Sequence, residues 1–471
     1  MMKTIQNKLY KISGGLLLTS IAATMNAQTD AKAPKTTLPN VIYILADDLG
    51  FADIEAYGNQ HISTPNINKL AQRGKSFTQH YAGSSVSAPS RACLLTGQHT
   101  GHTKIRGNRE ISTEGQEPID KSVKTIAQLF KDAGYTTGCF GKWGLGYPGS
   151  GAEPNDVGFD KFYGYNCQRK SHTFYPAWLY DNKTKITLDG KTYAQDLIHN
   201  EAIRFINDNK NQPFFGYFAY TLPHASLEQP DDSVLQMYKG KFCEPKAFAY
   251  NGDYTGTAIP RTQFAAMVTR LDTYVGQIVD ELEKLGLLNN TMIIFTSDNG
   301  PHTEGGADPE FFNTEKLLKG YKRALYDGGI RVPFIVRWDG KVTPGTVDHH
   351  VCAFWDMMPT FAELTGQSET WTQATDGISM LPSITGNRTQ NEHDFLYWEF
   401  HEEGGRQAVR KGPWKLIRQQ INTSPILELY NLDDDLGETK NVAGKYPQIL
   451  QELVQIMDGA RVPSPLFNFG R

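Results

Sequence analysis

An unbroken apolar run at 41–45, Val-Ile-Tyr-Ile-Leu, constrains the fold more than any other feature, because it has strand length and no polar face. Alternating residues would suit a strand with one side in water. A continuous run predicts a strand covered on both sides, as in a parallel sheet between helices. Similar runs recur at 136–140, 214–220, 292–296 and 333–336. Helical patterns lie between them, the clearest at 262–285, where Phe264, Met267, Leu271, Val275, Ile278 and Leu282 repeat at three- and four-residue steps before Gly286. The expectation is an α/β fold, a large mixed and mainly parallel sheet flanked by helices. From about Val347 the texture changes to short runs around Trp398 and Trp414 and a last helix near 446–457. That pattern predicts a smaller C-terminal α+β unit carrying an antiparallel sheet.

The length of 471 residues suits one large and one smaller domain, here 39–346 and 347–471. Lys3, Lys8 and Lys11 precede an apolar run at 12–23, and Ala27 offers a cleavage point. The run is too short to span a bilayer, so 1–27 reads as a secretory signal peptide and 28–38 as a tether. A periplasmic or secreted bacterial protein is expected, without membrane insertion. A net charge of −4 gives no general attraction to nucleic acid, so any anion must be met by a local cluster. Five widely spaced cysteines without a CxxC pair argue against a zinc or dithiol motif. They predict mostly buried free thiols, leaving room for one disulfide.

Ligands of such sheets bind beyond the carboxyl ends of the strands, and polar clusters stand there. Asp47-Asp48 follows the first run, Gly141-Lys142 the second, His224 the third and Asp298-Asn299 the fourth. Adjacent acids after a buried strand cost desolvation and repulsion unless a cation compensates. Asp47, Asp48, Asp298 and Asn299 are hard oxygen donors, which suits Ca²⁺ and, less well, Mg²⁺; read locally, the same residues are turn and cap formers. Ser87-Ala88-Pro89-Ser90-Arg91 places a hydroxyl just before an expected helix start, with Pro89 at the first turn and free N–H groups that attract anions. With Arg91 one turn on, Ser87 reads as a nucleophile facing an anionic group, or more simply as a helix cap.

The run 87–97, Ser-Ala-Pro-Ser-Arg-Ala-Cys-Leu-Leu-Thr-Gly, resembles at every specified position the signature of the formylglycine-dependent type I sulfatases, in its serine-type form. Gly141-Lys142-Trp143, Pro223-His224, the block from Lys322 into Asp327-Gly328-Gly329-Ile330-Arg331-Val332-Pro333, and the tail Glu428-Leu429-Tyr430-Asn431-Leu432 are similar to that family too, so the resemblance spans about 40–460. It implies an alkaline-phosphatase-like fold and hydrolysis of sulfate esters. It implies that Ser87 is oxidised to formylglycine (3-oxoalanine) by a sulfatase-maturating radical enzyme. The hydrate of that aldehyde then attacks sulfur and completes the shell of a calcium ion held by Asp47, Asp48, Asp298 and Asn299. Arg91, Lys142 and Lys322 would hold the sulfate, and His224 would protonate the departing oxygen.

One position departs from the pattern: relatives carry histidine where this chain has Gly144. His302, close to Asp298 in sequence, is a candidate to supply that imidazole or to touch the substrate. Gln168, Arg169 and His172, in an aromatic-rich stretch, and Arg323, His401 and Glu402 are candidate sugar contacts. The expected substrate is a sulfated carbohydrate, galactose or N-acetylgalactosamine sulfate at a chain end, with 4-O-sulfate favoured. Two other readings stand beside it. A phosphodiesterase or phosphonate hydrolase of the same superfamily would prefer a second metal, and a sulfated-glycan-binding protein with a decayed site would follow from Gly144.

Overall fold

β1 (Asn40–Ala46) is covered on both faces: all seven residues are buried, Val41, Tyr43 and Leu45 in one core and Ile42, Ile44 and Ala46 in another. At about 1.5–3 kcal/mol for each large apolar side chain withdrawn from water, this one strand anchors both layers. The computed structural model describes residues 38–469 apart from 113, 314–316 and 372. The expected signal peptide, and all of the tether but Leu38, lie outside the described residues.

Four more of the expected strands join β1 at the centre of a ten-stranded sheet: β2 (Thr136–Lys142), β3 (Phe214–Ala219), β4 (Thr291–Ser297) and β5 (Phe334–Arg337). β1 runs parallel between β3 and β4, with Val41 opposite Phe215 and Met292. β2 continues parallel beside β3, whereas β5 is antiparallel to β4. Short strands Lys161–Tyr165, Trp178–Asp181 and Thr184–Thr187 extend the β2 side, and Lys75–Phe77 and Thr346–Asp348 the β5 side. The carboxyl ends of β1 to β4 therefore open on one edge.

Helix α1 (Ser87–Thr96) is buried along its whole length, with Ala88, Ala92, Leu94 and Leu95 in the core of the large sheet. Helix α2 (Pro260–Lys284) begins two residues before the sequence expectation, because proline at the first helical position forfeits no hydrogen bond. Its stripe from Phe264 to Leu282 covers the face of Ile42 and Ile44.

The C-terminal sheet is an antiparallel meander of β6 (Leu396–Phe400), β7 (Arg406–Lys411), β8 (Trp414–Gln419) and β9 (Ile426–Asn431). Helix α3 (Pro447–Gly459) packs Leu453 and Met457 against Tyr397, Val409, Leu416 and Leu429. The opposite face sets Trp398, Phe400 and Ile417 against Tyr81, Val86 and Cys93, so the small sheet abuts the start of α1. Buried Lys415 of β8 joins Asp327 (2.6 Å) to Glu438 (2.9 Å). Between Asp348 and this sheet, Phe354, Met357 and Phe361 belong to the large sheet's core. All five cysteines are free, four buried and Cys243 exposed. Among the described residues no helix is long and apolar enough to cross a membrane.

Candidate active site

The cluster forms where β1 ends. Asp47 and Asp48 are fully buried, and Asp48 takes a left-handed backbone with φ 63°, a conformation that costs on the order of 1–3 kcal/mol outside glycine. What holds it there is its own N–H, donated to Asp298 Oδ1 at 3.0 Å from the end of β4. Glycine is needed at 141 for a different reason: at φ 118°, a Cβ there would stand 1.9 Å from the Ala219 carbonyl. Its absence lets β2 and β3 close up and aims Lys142 inward.

Ser87 is the first residue of α1, not its cap; Val86 holds the cap position and makes no side-chain bond there. The Ser87 hydroxyl is drawn off by the cluster instead, donating to Asp47 Oδ1 at 3.0 Å and accepting from Lys142 Nζ at 3.2 Å. Pro89, two residues further in, still falls within the turn whose N–H groups lack helical partners.

Three cations answer four carboxylates. Lys142 Nζ lies 2.7 Å from Asp47 Oδ2. Arg91 donates to Asp298 Oδ2 at 2.9 Å, reaches Asp47 at 3.4 Å and bonds the Lys142 carbonyl at 3.1 Å. Lys322 Nζ meets Asp48 Oδ2 at 2.8 Å, Glu304 Oε2 at 2.7 Å and His224 Nε2 at 3.2 Å. Burial pushes the Asp47 carboxyl up, but Lys142, His224 and Arg91 together hold it well below the usual range. Asp298 goes the other way: burial and the neighbouring Asp47 raise it to about 6 against the pull of Arg91. Burial, then Lys322, depress His224 to about 4. His224 Nδ1 is tied to the Ala225 carbonyl, which leaves Nε2 facing the cluster.

The donor set fits a hard cation. Asn299 Nδ2 donates to Asp48 Oδ1 at 2.6 Å, and its Oδ1 is buried without a partner, an orphan that a cation would satisfy. Asp47, Asp48 and His224 bring ligand atoms within 4.8 Å of one another. Asp47, Asp48, Asp298 and Asn299 supply only oxygen, as calcium or magnesium prefers.

Of the sequence candidates, Asp47, Asp48, Ser87, Arg91, Lys142, His224, Asp298, Asn299 and Lys322 come together. His172 stacks on the His224 ring at 5.0 Å, and His302 lies 5.7 Å from that ring; His302 Nε2 is taken by the Pro223 carbonyl. Arg323 pairs with Glu304 at 2.5 Å. Gln168 stands beside Gly144, its Oε1 3.5 Å from where a Cβ would be. Glu402 faces the Asn108 amide, and Asn108 Oδ1 accepts from the N–H of Ala88, next to Ser87. Two candidates are not brought in. Arg169 is exposed and paired with Glu110, and His401 bonds Glu399 and stacks on Phe469.

Sequence reasoning missed Glu304, which holds both Lys322 and Arg323, and Tyr254, whose ring lies 5.0 Å from His172. Glu304 sits six residues after Asp298 in the same loop; that spacing was the available signal. Nothing periodic marks Tyr254.

The profile of the sulfatase family matches residues 39–367, and that of the N-sulphoglucosamine sulphohydrolase C-terminal region matches 320–462. The N-acetylgalactosamine-6-O-sulfatase of Bacteroides thetaiotaomicron is 27% identical over 98% of this chain and 100% of its own length. Human arylsulfatase A is 30% identical over 89% of this chain and 87% of its own. The crystal structure of Ps i-CgsB in complex with k-i-k-neocarrahexaose superposes with a TM-score of 0.75 at 30% identity, covering 90% of this chain and 92% of that one. A match of that extent, on a fold that gathers the signature residues into one buried cluster, makes this chain a member of the sulfatase family and a sulfuric ester hydrolase.

Proposed function

We propose that the protein removes sulfate from a carbohydrate, a galactose or N-acetylgalactosamine sulfate at a chain end. The observation that carries the sulfate-ester chemistry is the placing of Ser87: its Oγ is within 3.2 Å of both Asp47 and Lys142 at the buried start of α1. Oxidised to formylglycine, position 87 supplies a hydrated aldehyde as the nucleophile. Asp47, Asp48, Asp298 and Asn299 would hold a calcium ion, which would supply fixed positive charge against the sulfate oxygens.

The remaining work falls to the chain's own side chains. Lys142 and Lys322 flank the cluster and meet the sulfate. Arg91 holds Asp47, Asp298 and the Lys142 carbonyl and keeps a buried Nη2 without a hydrogen-bond partner, so it positions the carboxylates and retains a donor for the sulfate. His224 protonates the departing oxygen through Nε2, which draws its proton from the Lys322 ammonium 3.2 Å away because the neutral ring keeps its own on Nδ1.

Two relatives carry the names of N-acetylgalactosamine 6-sulfatases, which supports a sugar substrate and brings O6 into the reading beside the O4 that the sequence favours. Both are therefore assayed. Protein co-expressed with a sulfatase-maturating radical enzyme should show loss of two hydrogens at Ser87 by peptide mass spectrometry and release sulfate from N-acetylgalactosamine 4- or 6-sulfate. Ser87→Ala should keep its fold and lose turnover. Sulfate release by Ser87→Ala would overturn the assignment.

A further inference from the structure

Besides Asn299 Oδ1 and Arg91 Nη2 inside the cluster, three buried polar atoms on residues bordering it have no hydrogen-bond partner: Gln168 Oε1, His172 Nδ1 and Glu402 Oε1. His172 touches the machinery directly, and Gln168 and Glu402 border it through intervening residues. Gln168 stands over Gly144, two residues past Lys142. His172 stacks on His224. Glu402 reaches the start of α1 through Asn108 and Ala88. Buried polar groups left unpaired are costly and rare, and here they recur on several sides of one site. Gln168 Oε1 and Glu402 Oε1 can only accept.

The cluster, here the floor, and the bordering acceptors Gln168 and Glu402, here the wall, thus have opposite chemistry. The floor offers donors, the ammonium groups of Lys142 and Lys322. The wall offers acceptors, one of them a carboxylate. Resting on the reading of the site as a sugar sulfatase, we propose that Glu402 and Gln168 select a sugar with a single sulfate, whose neighbouring hydroxyl or acetamido groups donate to this wall, and reject one carrying a second sulfate there. A second sulfate is itself acceptor-only and anionic, so it would leave the wall unpaired and face Glu402 with like charge.

Matured enzyme should prefer N-acetylgalactosamine 4-sulfate or 6-sulfate over the 4,6-disulfate by about 10- to 150-fold in kcat/KM, the worth of one hydrogen bond to a charged group. Glu402→Gln, whose amide can donate, should narrow that ratio by about tenfold. Calorimetry on Ser87→Ala, which needs no maturation, should show the same order of affinities. Equal use of mono- and disulfated sugar by wild type, or an unchanged ratio in Glu402→Gln, overturns the proposal. Failure of the sulfatase reading looks different: enzyme with verified aldehyde at 87 would release no sulfate even from 4-nitrophenyl sulfate, while the calorimetric order still decides for or against the acceptor wall.

Discussion

His80 makes a test of the core that is independent of activity. Its ring is fully buried, stacked on Phe334 with centroids 3.9 Å apart and bordered by Phe354. Nδ1 meets Cys352 Sγ at 3.3 Å, Nε2 has no partner, and burial alone depresses the imidazole from 6.5 to about 3. The Cys352 thiol is itself pushed well up by burial, so it offers no charge to compensate a cation. A histidine with a lowered folded value is neutral when folded and takes up a proton on unfolding. Its stability contribution is complete above the unfolded value of 6.5 and is lost as pH falls toward 3. Over the two pH units below 6.5 the slope is about 1.36 kcal/mol per unit, so His80 alone costs the wild type about 2.7 kcal/mol by pH 4.5. His80→Leu keeps an apolar side chain of similar size and should change stability at neutral pH by about 1.5 kcal/mol or less. Urea unfolding followed by tryptophan fluorescence at about pH 7.5, 6.5, 5.5 and 4.5 gives both curves; carboxylates common to the two proteins cancel in their difference. The variant should gain on the wild type steadily below pH 6.5. Parallel curves would refute the reasoning, for they would mean that His80 takes up its proton as readily in the folded protein as in the unfolded chain.

Lys415→Met should cost about 3–5 kcal/mol, because it strands two buried carboxylates, Asp327 and Glu438. Adding Glu438→Gln should restore more than about 1 kcal/mol in a double-mutant cycle, while strict additivity would mean the triad is not coupled. Gly141→Ala should lose about 3 kcal/mol or more, since its Cβ would strike the Ala219 carbonyl at a left-handed φ. Gly144→Ala, whose nearest neighbour is 3.5 Å away at φ 71°, should lose only about 1–2 kcal/mol by the same thermal melts. Chelation should lower the melting temperature, and calcium at about a hundred times its dissociation constant should restore about 2.7 kcal/mol; a melting curve indifferent to both would remove the metal from the site.

The doubly buried strands were legible because five continuous apolar runs have no other economical place in a globular chain, and the site was legible because its acids stand at the ends of those runs. Asp47, Asp48, Asp298 and Asn299 needed only position and residue type. What could not be read was pairing at a distance. Glu304 is an ordinary loop glutamate until the turn at 319–328 brings Lys322 and Arg323 against it. His401 and Arg169 looked like sugar contacts by composition, yet each has another partner, Glu399 two residues away for His401 and Glu110, 59 residues away in the chain, for Arg169. The start of α1 was misplaced for the same reason: Ser87 has the side chain of a cap, but Asp47 and Lys142 compete for its hydroxyl from forty and more residues away.

Charge balance shows why these distant partners belong to the site's function. Asp47, Asp48, Asp298 and Glu304 are met by Arg91, Lys142, Lys322 and Arg323, so the cluster is close to neutral by itself. A neutral cluster buried this deeply can fold, because each charge has a partner at hydrogen-bond distance. It has little reason to bind an anion. A divalent cation among the oxygens would leave the same residues with an excess of positive charge that only an anionic ligand can offset, in a region where water is excluded and each interaction counts for more. On this argument Glu304 sets how strongly Lys322 and Arg323 attract sulfate, since it neutralises one charge of the pair whether or not the metal is bound.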